Sequence, residues 1–337
     1  MNDTAREPGT GLTIDQLELE AMADFASAAR APATLSAYSD DWGDFVLWCL
    51  QRGVQALPAA PETVARHLAA CARGWRPPSR RPASDRDKVR TLRQLSPASL
   101  SRLVAAINYK HRAAGLESPT SDPQVKAQLA GIRRRYTGTS KKKAAADTSV
   151  MLELLKTCGD DLQGLRDRAL LAVAFGAALR RSELVALNVE DITFVAQGMT
   201  LTVRRSKTDQ LGEGVTVPVG HGSRIMPVTA LQDWIAAAGI TTGAIFLQVH
   251  VSDYVLPKRL TAGMVGLIVK RRARLAGLDA DVLGAHSLRA GFITSAAERG
   301  ANLFKIMTVS RHVSMDVMRG YVRSREQWRD YAGDGIL

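Results

Sequence analysis

"RRRYTGTSKKKAAAD", Arg133 to Asp147, is the stretch on which the fold turns. It carries six cations and several turn-forming residues, but no apolar residues at helical or strand spacing. Such a stretch cannot bury a face, so it reads as a basic linker, bounded at residues 132–146, between two parts that fold around separate cores. At 337 residues the chain is long enough for both parts to bury a core of their own.

Upstream, over residues 16–131, the apolar periodicity is helical throughout. Thr34 is placed to cap a helix whose Leu35, Tyr38, Trp42, Phe45 and Cys49 recur at three-and-four spacing. Pro61 opens a second helix with Val64, Leu68 and Cys71 inward, and Ser96 with Pro97 opens a third with Leu100, Leu103, Val104 and Ile107 inward. Asp122 and Pro123 start a fourth, carrying Val125, Leu129 and Ile132. Four stripes of this kind predict a small helical bundle. Between the second and third lies "WRPPSRRPASDRDKVRTLRQ", residues 75–94, rich in Pro and Arg and without periodicity. It reads either as a solvated insertion or as a basic arm that grips phosphate through groups such as Arg80 and Arg81. Residues 1–15 show no pattern and are expected to be disordered.

Downstream, from Asp147 to the end at residue 337, the pattern changes. A helix at Asp147 is followed by an apolar one around Ala169 to Leu179. Then comes "MTLTVRRSKTDQLGEGVTVPV", where Leu201 and Val203, and then Val215, Val217 and Val219, alternate at period two. That is a hairpin whose long turn holds Lys207. Helical spacing returns near residues 229–238, 261–276 and 287–299. The expected fold class is mainly α with a small antiparallel β-sheet in the C-terminal domain.

Composition narrows the partners. The formal charge is +12, and residues 73–143 alone hold 18 Lys or Arg against 4 Asp or Glu. Arg outnumbers Lys 34 to 11, and its planar fork can hold a phosphate with two N–H donors. A concentrated field of that size suits a polyanion, although a general bias toward arginine would also raise the count. Cys49, Cys71 and Cys158 are far apart and lack metal-ligand or redox spacing, so neither a disulfide framework nor a zinc site is expected. No export pattern opens the chain and no apolar run spans a bilayer, so the expectation is a soluble cytoplasmic protein.

Several small constellations could carry chemistry. "ALRRSEL" sets Arg180 and Glu183 three apart, where on a continuing helix they face the same way; an ordinary salt bridge would look identical. "AHSLRAGF" sets His286 and Arg289 three apart, able to meet one phosphate, but His221 and Arg224 repeat that spacing. Lys207 alone is a turn lysine. "SRHVSMDVMRGYVRS", residues 310–324, places His312 and Tyr321 nine apart, on opposite sides of any single helix. They converge only if the chain breaks between them, and Ser314 with Asp316 is a plausible helix start there. Taken alone, Tyr321 is equally a core aromatic.

As a set, in this order and spacing, Arg180, Glu183, Lys207, His286, Arg289, His312 and Tyr321 resemble the tyrosine recombinase or phage integrase family, in a Cre-like two-domain layout. The resemblance extends upstream, where "APATLSAYSDDWGDFVLWC" and "LSPASLSRLVAAINYKHRAAGL" look like the family's helical core-binding domain. It implies a site-specific recombinase in which Tyr321 attacks a DNA phosphodiester, forming a 3′-phosphotyrosyl bond and releasing a 5′-hydroxyl, without ATP, metal or cofactor. Arg180 and Arg289 would clamp the non-bridging oxygens, and His286 would do general acid/base work. Lys207 would protonate the leaving oxygen, His312 would donate to the phosphate, and Glu183 would orient the cations. The linker cations Arg133, Arg134, Arg135, Lys141, Lys142 and Lys143 would cross the backbone of double-stranded DNA. Four protomers would assemble on two sites, exchanging the tail at residues 322–337. A type IB topoisomerase, or a regulator that binds DNA without cutting, would share part of this pattern, and Tyr331 is the second candidate nucleophile. Two departures stand out: Arg311 precedes His312, where the family often has Gly, and Arg181 follows Arg180, where it has an apolar residue.

Overall fold

Proline sets the helix starts in the N-terminal unit. In the computed structural model, which describes residues 30–77, 94–136, 143–204 and 214–312 together with Glu18 and Met315, four helices of this unit begin with Pro in the first turn. They are α1 (Pro32–Leu50), α2 (Pro61–Ala72), α3 (Pro97–Ala113) and α4 (Pro123–Arg135). A missing N–H costs nothing there and the fixed φ is already helical. Ser96 accepts from the Ser99 N–H and Asp122 from the Gln124 N–H, as expected of caps. Thr34 is not a cap: Pro32 starts α1 one turn earlier, and Thr34 lies inside it.

The chain divides into two units, residues 1–140 and 141–337. In the first, Phe45, Trp48, Leu68, Leu100 and Ile107 form the centre of the core. Two histidines are buried with them. His111 Nδ1 donates to the Ile107 carbonyl at 2.9 Å while its Nε2 accepts the Ala59 N–H at 3.0 Å, so both ring nitrogens have backbone partners. His67 lies among the rings of Phe45, Trp48 and Trp75, and burial draws its pKa down to about 3, helped by the charge of Arg52. Arg102 grips Asp41 with two bonds of 2.7 and 2.9 Å, tying α3 to α1. Helix α4 runs on to Arg135, so Arg133, Arg134 and Arg135 are exposed in its last turn, where cations complement the helix dipole, instead of lying in an irregular linker.

The second unit is built around α6 (Leu162–Gly176), which follows α5 (Thr148–Lys156). Every residue from Ala169 to Phe175 is buried, so the second half of α6 is a central segment with no polar face. After it come α7 (Arg181–Ala186) and the strands β1 (Ile192–Val195), β2 (Gly198–Val203) and β3 (Val215–Gly220), an antiparallel sheet in that order. Leu201 pairs with Val217 and Val203 with Val215; Leu201, Val203, Val217 and Val219 lie against the core as the alternation predicts, but Val215, at the start of β3, is exposed. Next are α8 (Pro227–Ala237), the hairpin β4 (Leu247–Val249) and β5 (Val255–Arg259), and the helices α9 (Ala262–Leu275), α10 (Ala285–Glu298) and α11 (Leu303–Ser310). β1 and the β4–β5 hairpin were not legible in the sequence: they are short, and at most half-buried without an alternating face.

Two features lock this unit. Buried Asp167 on α6 receives Arg166 at 2.7 Å, and from α9 Arg272 at 2.8 Å and Arg271 at 3.3 Å. Residues 144–148 run along α10: the Ala146 N–H donates to the Ser287 carbonyl at 2.9 Å and the Thr148 N–H to Ser295 Oγ at 3.0 Å. The approach is so close at Gly291 that a Cβ there would fall 1.7 Å from the Ala146 carbonyl oxygen. Among the described residues, no helix is long and apolar enough to cross a membrane.

Candidate active site

The site begins where α6 ends. Its last carbonyls lack helical partners, and two buried guanidiniums supply them. Arg289 Nη1 donates to the Ala178 carbonyl at 2.7 Å; Arg311 donates to the Ala177 carbonyl through Nη1 at 3.4 Å and to the Ala178 carbonyl through Nη2 at 3.3 Å. Ala178 itself has a φ of 47°, so the chain turns sharply before Arg180.

Arg180 and Glu183 meet, but not on a continuing helix. Arg180 is the extended residue before α7, its N–H donates to Glu183 Oε2 at 2.9 Å, and its Nη1 to Oε1 at 2.6 Å. Glu183 thus caps the start of α7 while holding the side chain of the residue it caps. Arg311 Nη2 reaches the same carboxylate at 2.8 Å. Burial works to raise the Glu183 pKa, but the charge of Arg311 and the bonds from Arg180 outweigh it and hold the carboxyl below its ordinary value.

Helix α10 supplies the next pair. His286 is exposed in its first turn and Arg289 is buried one turn on. Helix α11 stops at Ser310 because Arg311 takes a left-handed conformation, φ 53° and ψ 43°, and the chain delivers His312 directly after it. Arg289 Nη2 lies 3.3 and 3.4 Å from the two ring nitrogens of His312, and Ser310 Oγ lies 2.9 Å from Nδ1. Burial lowers the His312 pKa to about 4, with the charges of Arg289 and Arg180 adding to it. His286 is held below its ordinary value by desolvation and by the same two arginines. Both rings are therefore neutral near pH 7.

An open pocket of about 590 Å³ lies beside this cluster, lined by Arg180, Arg181, His286, Lys143 and Lys270, with Gly263 and Gly266 of α9 in its wall. The fold thus gathers Arg180, Glu183, His286, Arg289 and His312 from three places in the chain. Lys207 and Tyr321 lie outside the described residues, as do Arg80, Arg81, Lys141, Lys142, Ser314 and the tail. Sequence reasoning missed Ser310, fully buried beside His312, and Lys270; nothing local marks either. Arg311 was visible only as a departure at one position.

The model of the phage integrase family matches residues 146–327, more than half of the chain and the whole of this cluster. The chain belongs to the phage integrase family. Over 311 residues, covering 90% of this chain and 85% of the relative, it is 36% identical to the integrase/recombinase xerD homolog of Selenomonas ruminantium. It is 23% identical to recombinase cre of Escherichia phage P1 over 298 residues, covering 82% and 80% of the two chains. In fold it is similar to a lambda integrase dimer bound to a COC′ core site, with a TM-score of 0.55 at 16% identity over 94% of this chain and 79% of that one. As a family member this integrase is an enzyme, a DNA-binding site-specific tyrosine recombinase, and its cationic cluster sits within the family segment.

Proposed function

We propose that this integrase cuts and rejoins duplex DNA with Tyr321 as nucleophile, and that Arg180, Arg289, His286, His312 and Lys207 form the machinery around the scissile phosphate. The observation that carries the reading is the anchoring: Arg180 and Arg289 are each held by protein acceptors on one side, Glu183 and the Ala178 carbonyl, beside two neutral histidines. Preorganised cations of this kind stabilise the charge that builds on the non-bridging oxygens of a pentavalent phosphorus, and they need not reorganise as it builds.

The Tyr321 phenol, with an ordinary pKa of about 10, gives its proton to His286, which is neutral and able to accept it. The phenolate oxygen bonds to phosphorus as the bond to the 5′ oxygen breaks, and Lys207 protonates that leaving oxygen. The 3′-phosphotyrosyl bond retains the energy of the phosphodiester, so a 5′-hydroxyl from another strand displaces Tyr321 in the reverse chemistry without ATP. For His312, the reading takes the tautomer in which Nδ1 accepts a hydrogen bond from the Ser310 hydroxyl, which puts the ring hydrogen on Nε2 as a donor for the phosphate.

Arg133, Arg134 and Arg135 on α4, Lys143 at the pocket, and Lys141, Lys142, Arg80 and Arg81 in sequence give DNA backbone contacts in this reading. A homotetramer on two DNA sites, a domain division into core-binding and catalytic parts, and a cytoplasmic location complete it. The deciding experiment uses a suicide DNA substrate carrying the site mapped by footprinting. Wild-type protein should form a covalent adduct whose peptide map contains Tyr321, and Tyr321→Phe should form none. An adduct on Tyr331, or an undiminished adduct in Tyr321→Phe, overturns the assignment.

A further inference from the structure

Arg311 is the one buried cation of the cluster with no part in that mechanism, and its geometry is unusual in two ways. Its backbone occupies the left-handed region, which costs a residue with a Cβ and suits glycine. Its side chain turns away from the pocket, with its four Nη hydrogens directed at four protein acceptors: the Val309 carbonyl at 2.9 Å and that of Ala177 at 3.4 Å from Nη1, and the Ala178 carbonyl at 3.3 Å and Glu183 Oε2 at 2.8 Å from Nη2. No Nη hydrogen is left for a DNA phosphate.

Two of those acceptors are also the anchors of the two phosphate-facing arginines. Glu183 holds Arg180, and the Ala178 carbonyl holds Arg289. A single planar guanidinium therefore bridges the carboxylate behind one arginine and the carbonyl behind the other. The same residue ends α11, where the His312 N–H closes onto the Met307 carbonyl at 3.3 Å, so its backbone sets where His312 emerges.

We propose that Arg311 is a positioning residue of this recombinase: it fixes Arg180, Arg289 and His312 relative to one another without touching DNA. The proposal rests on the assignment of those three residues to the scissile phosphate. An arginine held there against the preference of its backbone has a role that a glycine would not fill, and the role acts on geometry, since its Nη hydrogens are all committed to protein acceptors.

The test is Arg311→Gly in the full chain, because glycine accepts the left-handed conformation and removes only the side chain. Three quantities are measured: affinity for the mapped DNA site, single-turnover rate of adduct formation, and recovery of that rate by millimolar guanidinium. Affinity should stay within about twofold of wild type, because no phosphate contact is lost. The cleavage rate should fall on the order of 100-fold, the scale set by displacing reacting groups by about an ångström. Guanidinium, but not an equal concentration of sodium chloride, should restore part of it. Wild-type cleavage by Arg311→Gly, equal losses of affinity and rate, or absence of rescue would each overturn the proposal. If Arg311→Gly does not fold, Arg311→Lys decides: it keeps the charge beside Glu183 but cannot span the two carbonyls, so it should bind normally and cut slowly, and normal cutting refutes the idea. Adduct mapping in wild-type protein separates an error about Tyr321 from an error about Arg311, since only the former moves the covalent bond.

Discussion

Acidifying the free protein from about pH 7.5 to about pH 5 should leave His312 neutral. Burial first, then Arg289 and Arg180, bring its pKa from 6.5 to about 4. At pH 5 a group with that pKa is roughly 10% protonated, whereas an unperturbed histidine would be about 97% protonated. The unfolded chain keeps the ordinary value, so between pH 6.5 and 4 it binds a proton that the folded chain refuses. The stabilising contribution is therefore complete above pH 6.5 and falls by about 1.4 kcal/mol per pH unit below it, about 2 kcal/mol by pH 5 and about 3 kcal/mol by pH 4. The assay has two parts: side-chain nitrogen NMR of the free chain, with His312→Gln for assignment, and urea unfolding of both proteins at pH 7 and pH 5. Wild-type protein should lose about 2 kcal/mol more than His312→Gln over that interval. A His312 midpoint above about pH 6, or parallel losses in the two proteins, would refute the claim that burial, with the charges of Arg289 and Arg180, holds this ring neutral.

The same logic applies to His67, whose pKa of about 3 lies further from 6.5. Stability of the N-terminal unit should fall as the pH drops below 6.5, by about 4 kcal/mol at pH 3, and His67→Leu should flatten that slope in urea unfolding followed by tryptophan fluorescence; an unchanged slope refutes it. Gly291→Ala should destabilise the C-terminal unit by roughly 3 kcal/mol, on the order of 10 °C in Tm, because its Cβ would meet the Ala146 backbone at 1.7 Å. A shift below about 2 °C in thermal unfolding would mean that residues 144–148 do not lie against α10 as described.

Much of the architecture was legible because it is written in local periodicity. The stripes through Phe45, Leu68, Ile107 and Ile132 predicted the helices that carry them, and the alternation through Leu201, Val203, Val217 and Val219 predicted both strands and their buried face. Prolines at the first turn and the caps at Ser96 and Asp122 were equally local. The candidate site residues were legible as an ordered set, a pattern of identities and spacings that resembles one family. The short strands β1, β4 and β5 were not, since three to five half-exposed residues carry no periodicity to read.

Tertiary structure alone decided the chemistry of the individual groups. Glu183 is a buried carboxylate rather than half of a surface pair because Arg311, 128 residues away, closes over it. Arg289 points as it does because its partner is a carbonyl 111 residues earlier. The neutrality of His312 and His67 depends on how much water and charge surround each ring, which no spacing encodes. The sequence by itself determined which long segments are helical, that β2 and β3 pair as strands, and which candidate site residues stand in family order, since those follow from neighbours along the chain. Which arginines face inward as anchors, and which histidines stay uncharged, follows from neighbours in space, because desolvation and Coulomb energy depend on distance and burial and not on order.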